Sequence, residues 1–403
     1  MTGRAIRSIV LIWLVWSVIL IGYMQLVQMR YEPDRPDDAL TWSAQETTRN
    51  SQRDKPYLND PFLNTQVSWD SEFYLSIATV GYDDPDVRVV EEGGTGYSMN
   101  YAFMPFYPLV MKVVRLPFTL IGMTPIGASV AAGVLVSLLG ALAGMIALYD
   151  IVRAELGEEG GIRTAFLLLV FPMSMFFATV YTEGLFVGLS FGSLALMRRK
   201  QFIFAAALAA CATATRSIGG ALLVPLLLAW FVSFRQATNK RTLLIQLPVL
   251  VLLPVGAYLL WRMANGVQYD FVQANWFGNA PLDIATTLDA WGQFLERART
   301  TPETAVVVAL EITTVALALL SCIWCFRRYP LLAIFGLIGL VVSITSGWNS
   351  TNSSIRYMLT VPTLWIMLGR WTRNSVFERG WIVACVLLLA MQAYLFSFDF
   401  WVA

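Results

Sequence analysis

The 403-residue chain has no histidine, and only 14% of its residues are charged. The missing histidine removes the usual general base near neutral pH, every Ser-His-Asp or Cys-His nucleophile and most zinc sites. Acid–base chemistry then falls to carboxylates or, less simply, to tyrosine. The scarcity of charge excludes a water-soluble globule. Such domains average about 25% charged and about 45–50% apolar residues, whereas 57% here are hydrophobic and the mean hydropathy is +0.61. Cysteine is also sparse: Cys211, Cys322, Cys325 and Cys385 all lie inside apolar runs, so no disulfide framework is expected. Cys322 and Cys325 do spell C-x-x-C, but within a spanning segment, where they read as small buried hydrophobes. The net charge of +1 carries no information about partners, and no nucleic-acid partner is expected.

What the chain does have is long apolar runs. Crossing ~30 Å of hydrocarbon takes about 20 residues in a helix. Residues 8–29 follow Arg4 and Arg7, run too long for a signal-peptide core and lack A-x-A, so they read as a signal anchor. Ten further segments complete a set of eleven candidate spans: 126–151, 162–181, 183–197, 202–215, 217–233, 243–263, 304–326, 330–347, 357–369 and 380–401. The expected fold is an all-α polytopic membrane protein, one domain over residues 1–403.

Cations between spans set orientation. With the N-terminus in the cytosol, every short cytosolic turn is basic, from Arg153 and Arg163 through Arg198–Lys200 and Arg327–Arg328 to Arg370–Arg379. The C-terminus then lies outside. Two external segments are too long to be plain connectors: a first loop over 30–125 and a second segment over 264–303. Residues 32–60 look irregular, with Pro33, Pro36, Pro56 and Pro61. Phe73, Tyr74, Ile77, Ala78 and Gly81 form a helical stripe, and Tyr101–Leu120 is a second apolar stretch. Both are expected as amphipathic helices along the membrane surface.

Unusual residues concentrate in W69-D70-S71-E72-F73-Y74-x-x-I77-A78-x-x-G81-Y82, followed by Y101-A102-F103-M104-P105-F106-Y107-P108. Asp70 starts a helix on the external side. An N-cap and a functional carboxylate fit it equally, and the two roles are compatible. Glu183 sits between two apolar stretches with no polar loop, which marks a functional site or the external end of a tight hairpin paired to an arginine. Asp270 and Gln273 open the second external segment and could contact sugar hydroxyls, with Trp276 stacking on a ring; a plain interfacial helix fits as well. Glu311 lies within a span, facing either protein or headgroups.

These motifs resemble the PIG-V family, multi-pass glycosyltransferases of the GPI mannosyltransferase II type with the GT-C architecture. The family pattern W-D-S plus an aromatic, I-A-x-x-G-Y and A-F-x-P-x-x-P is matched at Trp69, Asp70, Ser71, Phe73, Ile77, Ala78, Gly81, Tyr82, Ala102, Phe103, Pro105 and Pro108. Y181-T182-E183-G184-L185-F186 is similar to the family's Y-[ST]-E-S-L-F, T215-R216-S217-x-G219 follows, and R356-Y357 precedes Pro362. Gly184 departs from the pattern, where a small hydroxyl residue is usual, and little effect is expected.

The resemblance implies a GT-C bundle of about eleven transmembrane helices and a hexosyltransferase. It would move a sugar, mannose by family, from a polyprenyl-phosphate donor to a glycolipid or lipid-linked acceptor at the external face, inverting the anomeric centre. Asp70 would be the base. Because the leaving phosphate gains negative charge, cations at that face would stabilise it; Arg216, Arg356 and Arg262 are the candidates. Trp69, Tyr74, Tyr82, Glu183, Asp270, Gln273 and Trp276 complete the expected substrate-binding set. No cofactor or protein-bound metal site is indicated, and dependence on a divalent metal stays open, as does oligomeric state. A bacterial plasma membrane fits better than the ER. The rival class is a transporter or flippase of lipid-linked saccharides. Such proteins tend to show inverted repeats and mid-membrane charges, while the charges here lie near one face. A GT-C enzyme using another sugar or a protein acceptor is the remaining alternative.

Gly93-Gly94-x-Gly96 is read as a flexible loop rather than a phosphate cradle. Asp84-Pro85-Asp86 is a solvated turn, and the sequons at Asn349 and Asn352 are expected to stay unmodified.

Overall fold

The computed structural model describes residues 3–31, 63–85, 87–278, 282–351, 353–398, 400 and 402. The expected irregular segment 32–60, Asp86 and the Asn352 sequon lie outside them. The described chain is almost entirely helical. Each of the eleven apolar segments carries helix, but among the described residues only six helices are long and apolar enough to cross a membrane. A seventh results if the Pro172–Ala178 and Glu183–Arg198 helices, bent by 97°, count as one broken span. Phe202–Thr215 and Pro330–Ile344 are shorter apolar helices.

The segments 126–151 and 162–181 meet in one continuous helical assignment, Pro125–Val170, broken at Gly157 (φ 73, ψ −179). Past that break Gly161 lies against Tyr149 and Arg153, so the chain folds back on itself. Only glycine adopts this backbone without steric cost.

The first external loop departs from its expected form. The helix Asp70–Thr79 does not lie on a membrane surface, because Ser71 through Ala78 are all buried. Its stripe was legible, but the opposite face is covered too: Phe73 and Tyr74 pack on Phe103, and Tyr74 on Tyr107. The next stretch does present an apolar outer face, with Leu109, Val113, Leu116, Leu120 and Ile121 exposed. Arg115 turns inward there and donates to the Ala78 carbonyl at 2.9 Å. Gly93-Gly94 is a hairpin turn rather than a loose loop. Strands Val89–Glu92 and Thr95–Ser98 pair antiparallel around it, and both glycines have positive φ, as a two-residue hairpin turn of this kind requires.

Charge is sorted into two ends. At one, Asp150 pairs with Arg153 (3.2 Å) and Arg199 (2.6 Å), and Glu155 pairs with Arg328 (2.7 Å) and Arg370. At the other, Asp70, Glu183, Arg216 and Arg356 gather. Among the described residues no ion pair joins the two sets. The four cysteines are free thiols, with Cys322 and Cys325 buried against Thr363.

Candidate active site

Asp70 is the first residue of its helix, not the cap; that position is Trp69, which makes no side-chain cap bond. Trp69 has φ 55 and ψ −122, a conformation that costs a bulky residue about 1–3 kcal/mol and persists only where its surroundings enforce it. They do. The Ser68 hydroxyl donates to the Phe396 carbonyl (2.8 Å) and the Trp69 indole to the Phe400 carbonyl (3.2 Å). The Tyr181 hydroxyl donates to the Ser68 carbonyl and accepts from the Asp70 amide, both at 3.2 Å. The carboxylate is thereby released from capping and turned toward Arg356, 3.6 Å away.

Glu183 begins the helix that follows the sharp bend and is 1% exposed. Its Oε1 takes Arg216 at 2.5 Å and faces Arg356 Nε at 3.4 Å. Arg216 also donates to the Thr182 hydroxyl at 3.2 Å. Tyr357 lies between the two guanidinium groups, 5.1 Å from Arg216 and 5.3 Å from Arg356, and Phe176 and Tyr181 flank Arg356 further. Two carboxylates thus balance two guanidiniums within an aromatic wall.

The members of this cluster are not equivalent. Asp70's side chain is 28% exposed and Glu183's 1%, so of the two carboxylates only Asp70 can meet a substrate. Burial pushes the Asp70 carboxyl above its ordinary range; Arg356 pulls it back and Glu183 adds to the rise. Arg356 is close to both acids, yet its Nε has no hydrogen-bond partner. At 3.4 and 3.6 Å its ion pairs are too long to be hydrogen bonds. Its donors are held near the cluster and are not used up by it.

The depth of Glu183 is set by an unusually close helix contact. Gly140 and Gly144 on one helix meet Gly184 and Gly188 on the other, and a Cβ at Gly184 would overlap the Ser137 carbonyl. Small residues four apart on both partners let backbones touch. The departure of Gly184 from the family pattern is therefore not neutral in this chain, since a serine would not fit the crossing. Ser137 also donates to the Tyr181 carbonyl at 2.6 Å, joining this contact to the aromatic wall.

A family model described as Mannosyltransferase (PIG-V) matches residues 8–272, well over half of the chain. The chain belongs to the PIG-V mannosyltransferase family. It is accordingly a multi-pass membrane glycosyltransferase. No curated protein sequence matches it. Solved structures similar at low identity include the following two. One is ArnT from Cupriavidus metallidurans bound to undecaprenyl phosphate, with 15% identity and a TM-score of 0.46, covering 95% of this chain and 76% of that one. The other is the archaeal oligosaccharyltransferase AglB from Archaeoglobus fulgidus in complex with an inhibitory peptide and a dolichol-phosphate. It shows 12% identity and a TM-score of 0.43, with 95% of this chain covering 55% of that one.

Within this PIG-V chain, four of the sequence-derived site residues come together: Asp70, Glu183, Arg216 and Arg356. Tyr74 stands beside them, edge-on to Tyr181 at 6.4 Å. The others have different partners. Arg262 is held by Asp270 in a two-pronged pair across the Asn265 kink, so neither joins the cluster. Gln273 donates to the Ala102 carbonyl at 3.2 Å, and Trp276 is covered by Arg88 at 4.8 Å. Tyr82 donates to the Phe103 carbonyl and stacks on Tyr101. Trp69 is a buried clamp. Sequence reasoning left out Tyr181, Tyr357 and Phe176 as site residues. Tyr181 and Tyr357 are themselves members of the quoted motifs, but Phe176 is an unremarkable member of an apolar run and gives no signal.

Proposed function

We propose that this PIG-V enzyme transfers mannose from a polyprenyl-phosphate donor to a glycolipid or lipid-linked acceptor, inverting the anomeric carbon, on the face of a GT-C bundle opposite its basic turns. The acceptor hydroxyl oxygen attacks the anomeric carbon as Asp70 takes its proton. The bond from that carbon to the phosphate oxygen breaks, and polyprenyl phosphate leaves with the electron pair. Arg356, with Arg216 behind it, meets the charge that develops on the leaving phosphate; cations fixed in a water-poor site are effective in that role. Glu183 keeps both guanidiniums oriented while no donor is bound. The basic turns, including the Asp150 and Glu155 ends, are assigned to the cytosol, which puts the N-terminus inside, the C-terminus outside and the reaction outside, in a bacterial plasma membrane.

The observation that carries the reading is the pairing of a partly exposed carboxylate with an arginine 3.6 Å away whose Nε lacks a hydrogen bond. The family supports the sugar, and the missing histidine supports a carboxylate base. The test is transfer of labelled mannose from polyprenyl-phosphate mannose by the purified enzyme. Product with inverted anomeric configuration, lost in Asp70→Asn, is the expected result. Retention of configuration, or no use of that donor while another lipid-linked sugar is accepted, overturns it.

A further inference from the structure

Glu311 has no role in the chemistry above, yet it is a buried carboxylate in the middle of an apolar helix. It lies on Pro302–Cys325 and is 3% exposed. An ionisable group in such a segment is costly unless it has a partner, and it is retained where it serves the site. Its partner is specific. Glu311 Oε2 accepts from the backbone amide of Ile355 at 2.8 Å, and Ile355 is the residue before Arg356.

The segment it holds is irregular, and is tied down elsewhere by the Gly347 amide on the Thr287 hydroxyl and the Trp365 indole on the Leu359 carbonyl. Its described residues form a chain of short turns: a 3-10 stretch Gly347–Thr351, a four-residue helix Ser354–Tyr357 and another 3-10 turn Met358–Thr360. Ser353 enters the helix with φ 67, unfavourable for a residue with a Cβ. Irregular backbone between apolar helices needs every amide satisfied from within the protein. The Ile355 amide is satisfied by a side chain from a different helix.

Resting on the reading of Arg356 as the donor-phosphate ligand, we infer that Glu311 is the positioning residue for Arg356. Through the Ile355 amide it fixes where the guanidinium stands, and so sets donor affinity without touching the substrate. Glu311→Met removes the acceptor at nearly constant volume, and Glu311→Gln restores an acceptor oxygen without the charge.

In the full-length enzyme, Glu311→Met should raise the donor KM at least tenfold with the acceptor KM unchanged, and Glu311→Gln should stay within threefold of the parent. On an Arg356→Ala background Glu311→Met should add less than twofold, because the group it positions is gone. Donor and acceptor KM rising together, or a full tenfold effect persisting without Arg356, overturns the inference. Should Glu311→Met not fold, Glu311→Asp, which withdraws the acceptor by one methylene, must show the same donor-only rise or the inference fails. If Arg356→Ala itself leaves the donor KM unchanged, both the parent reading and this one fall. If Arg356→Ala raises it and the Glu311 variants do not, this one falls alone.

Discussion

Replacing Asp70 by asparagine separates catalysis from folding in a way the geometry makes quantitative. The substitution is isosteric, so the helix start and the Asp70 amide bond to Tyr181 are kept. What is lost is the proton acceptor. A positioned general base contributes about 10²–10⁴-fold, which at about 1.36 kcal/mol per decade is roughly 2.7–5.4 kcal/mol of barrier. The effect on stability is far smaller. Burial already works against the ionised Asp70 carboxyl, and its pair with Arg356 is a long one, at 3.6 Å. Glu183 stays in reach of both arginines, so neither guanidinium loses its last carboxylate neighbour. The melting temperature should fall by no more than about 4 °C.

The assay is single-turnover transfer from labelled polyprenyl-phosphate mannose in nanodiscs, with unfolding followed by tryptophan fluorescence. The pH profile supplies an internal control. The ionised form of Asp70 is the active one, and burial raises its pKa above the ordinary value. The parent rate should therefore fall as pH drops through that raised value, with a limb displaced upward from about 3.9, and the limb should vanish from the residual rate of the variant. A variant turning over within tenfold of the parent, with the same melting temperature and the same acidic limb, would refute the assignment of Asp70 as base.

Three further substitutions test the surrounding frame. Arg356→Ala removes charge-assisted bonds to the donor phosphate, at about 1.5–3 kcal/mol, so the donor KM should rise roughly 10- to 100-fold; an unchanged value speaks against a phosphate contact. Glu183→Gln leaves Arg216 and Arg356 short of a buried counter-charge, a change that typically costs about 3–5 kcal/mol. It should show as a large drop in melting temperature, opposite in character to Asp70→Asn. Gly184→Ser, the residue usual in the family at this position, should destabilise this chain by about 1–3 kcal/mol through overpacking; equal or greater thermal stability would mean that the helix crossing is not the tight one described.

The helical character and the apolar segments were legible because hydrocarbon imposes its length on any chain that crosses it. Asp70, Glu183, Arg216 and Arg356 were legible as well: charges beside apolar runs are rare enough for each to be singled out. Their mutual arrangement was not. Whether Arg216 or Arg262 would reach the cluster depends on where each helix end lands, and Arg262 is taken by Asp270 eight residues on. The burial of Asp70–Thr79 was hidden because an amphipathic stripe looks the same whether the helix rests on lipid or plugs a bundle. What decides it is Phe103 and Tyr107, more than 25 residues away. Glu311 stood out only as an acid within a span, its facing undecided, since its partner is a backbone amide, which no sequence pattern marks.

The glycine crossing between Pro125–Val170 and Glu183–Arg198 has a consequence for how the site tolerates change. Gly184 is the immediate neighbour of Glu183, so the closeness of two backbones acts as a spacer gauge for the buried acid. A methyl or hydroxymethyl group inserted there would lift the acid away from Arg216 and Arg356 together, altering the reaction centre with all its polar residues intact. Selection on activity in this chain would thus weigh on residues that carry no functional group at all, and a screen confined to charged side chains would miss them.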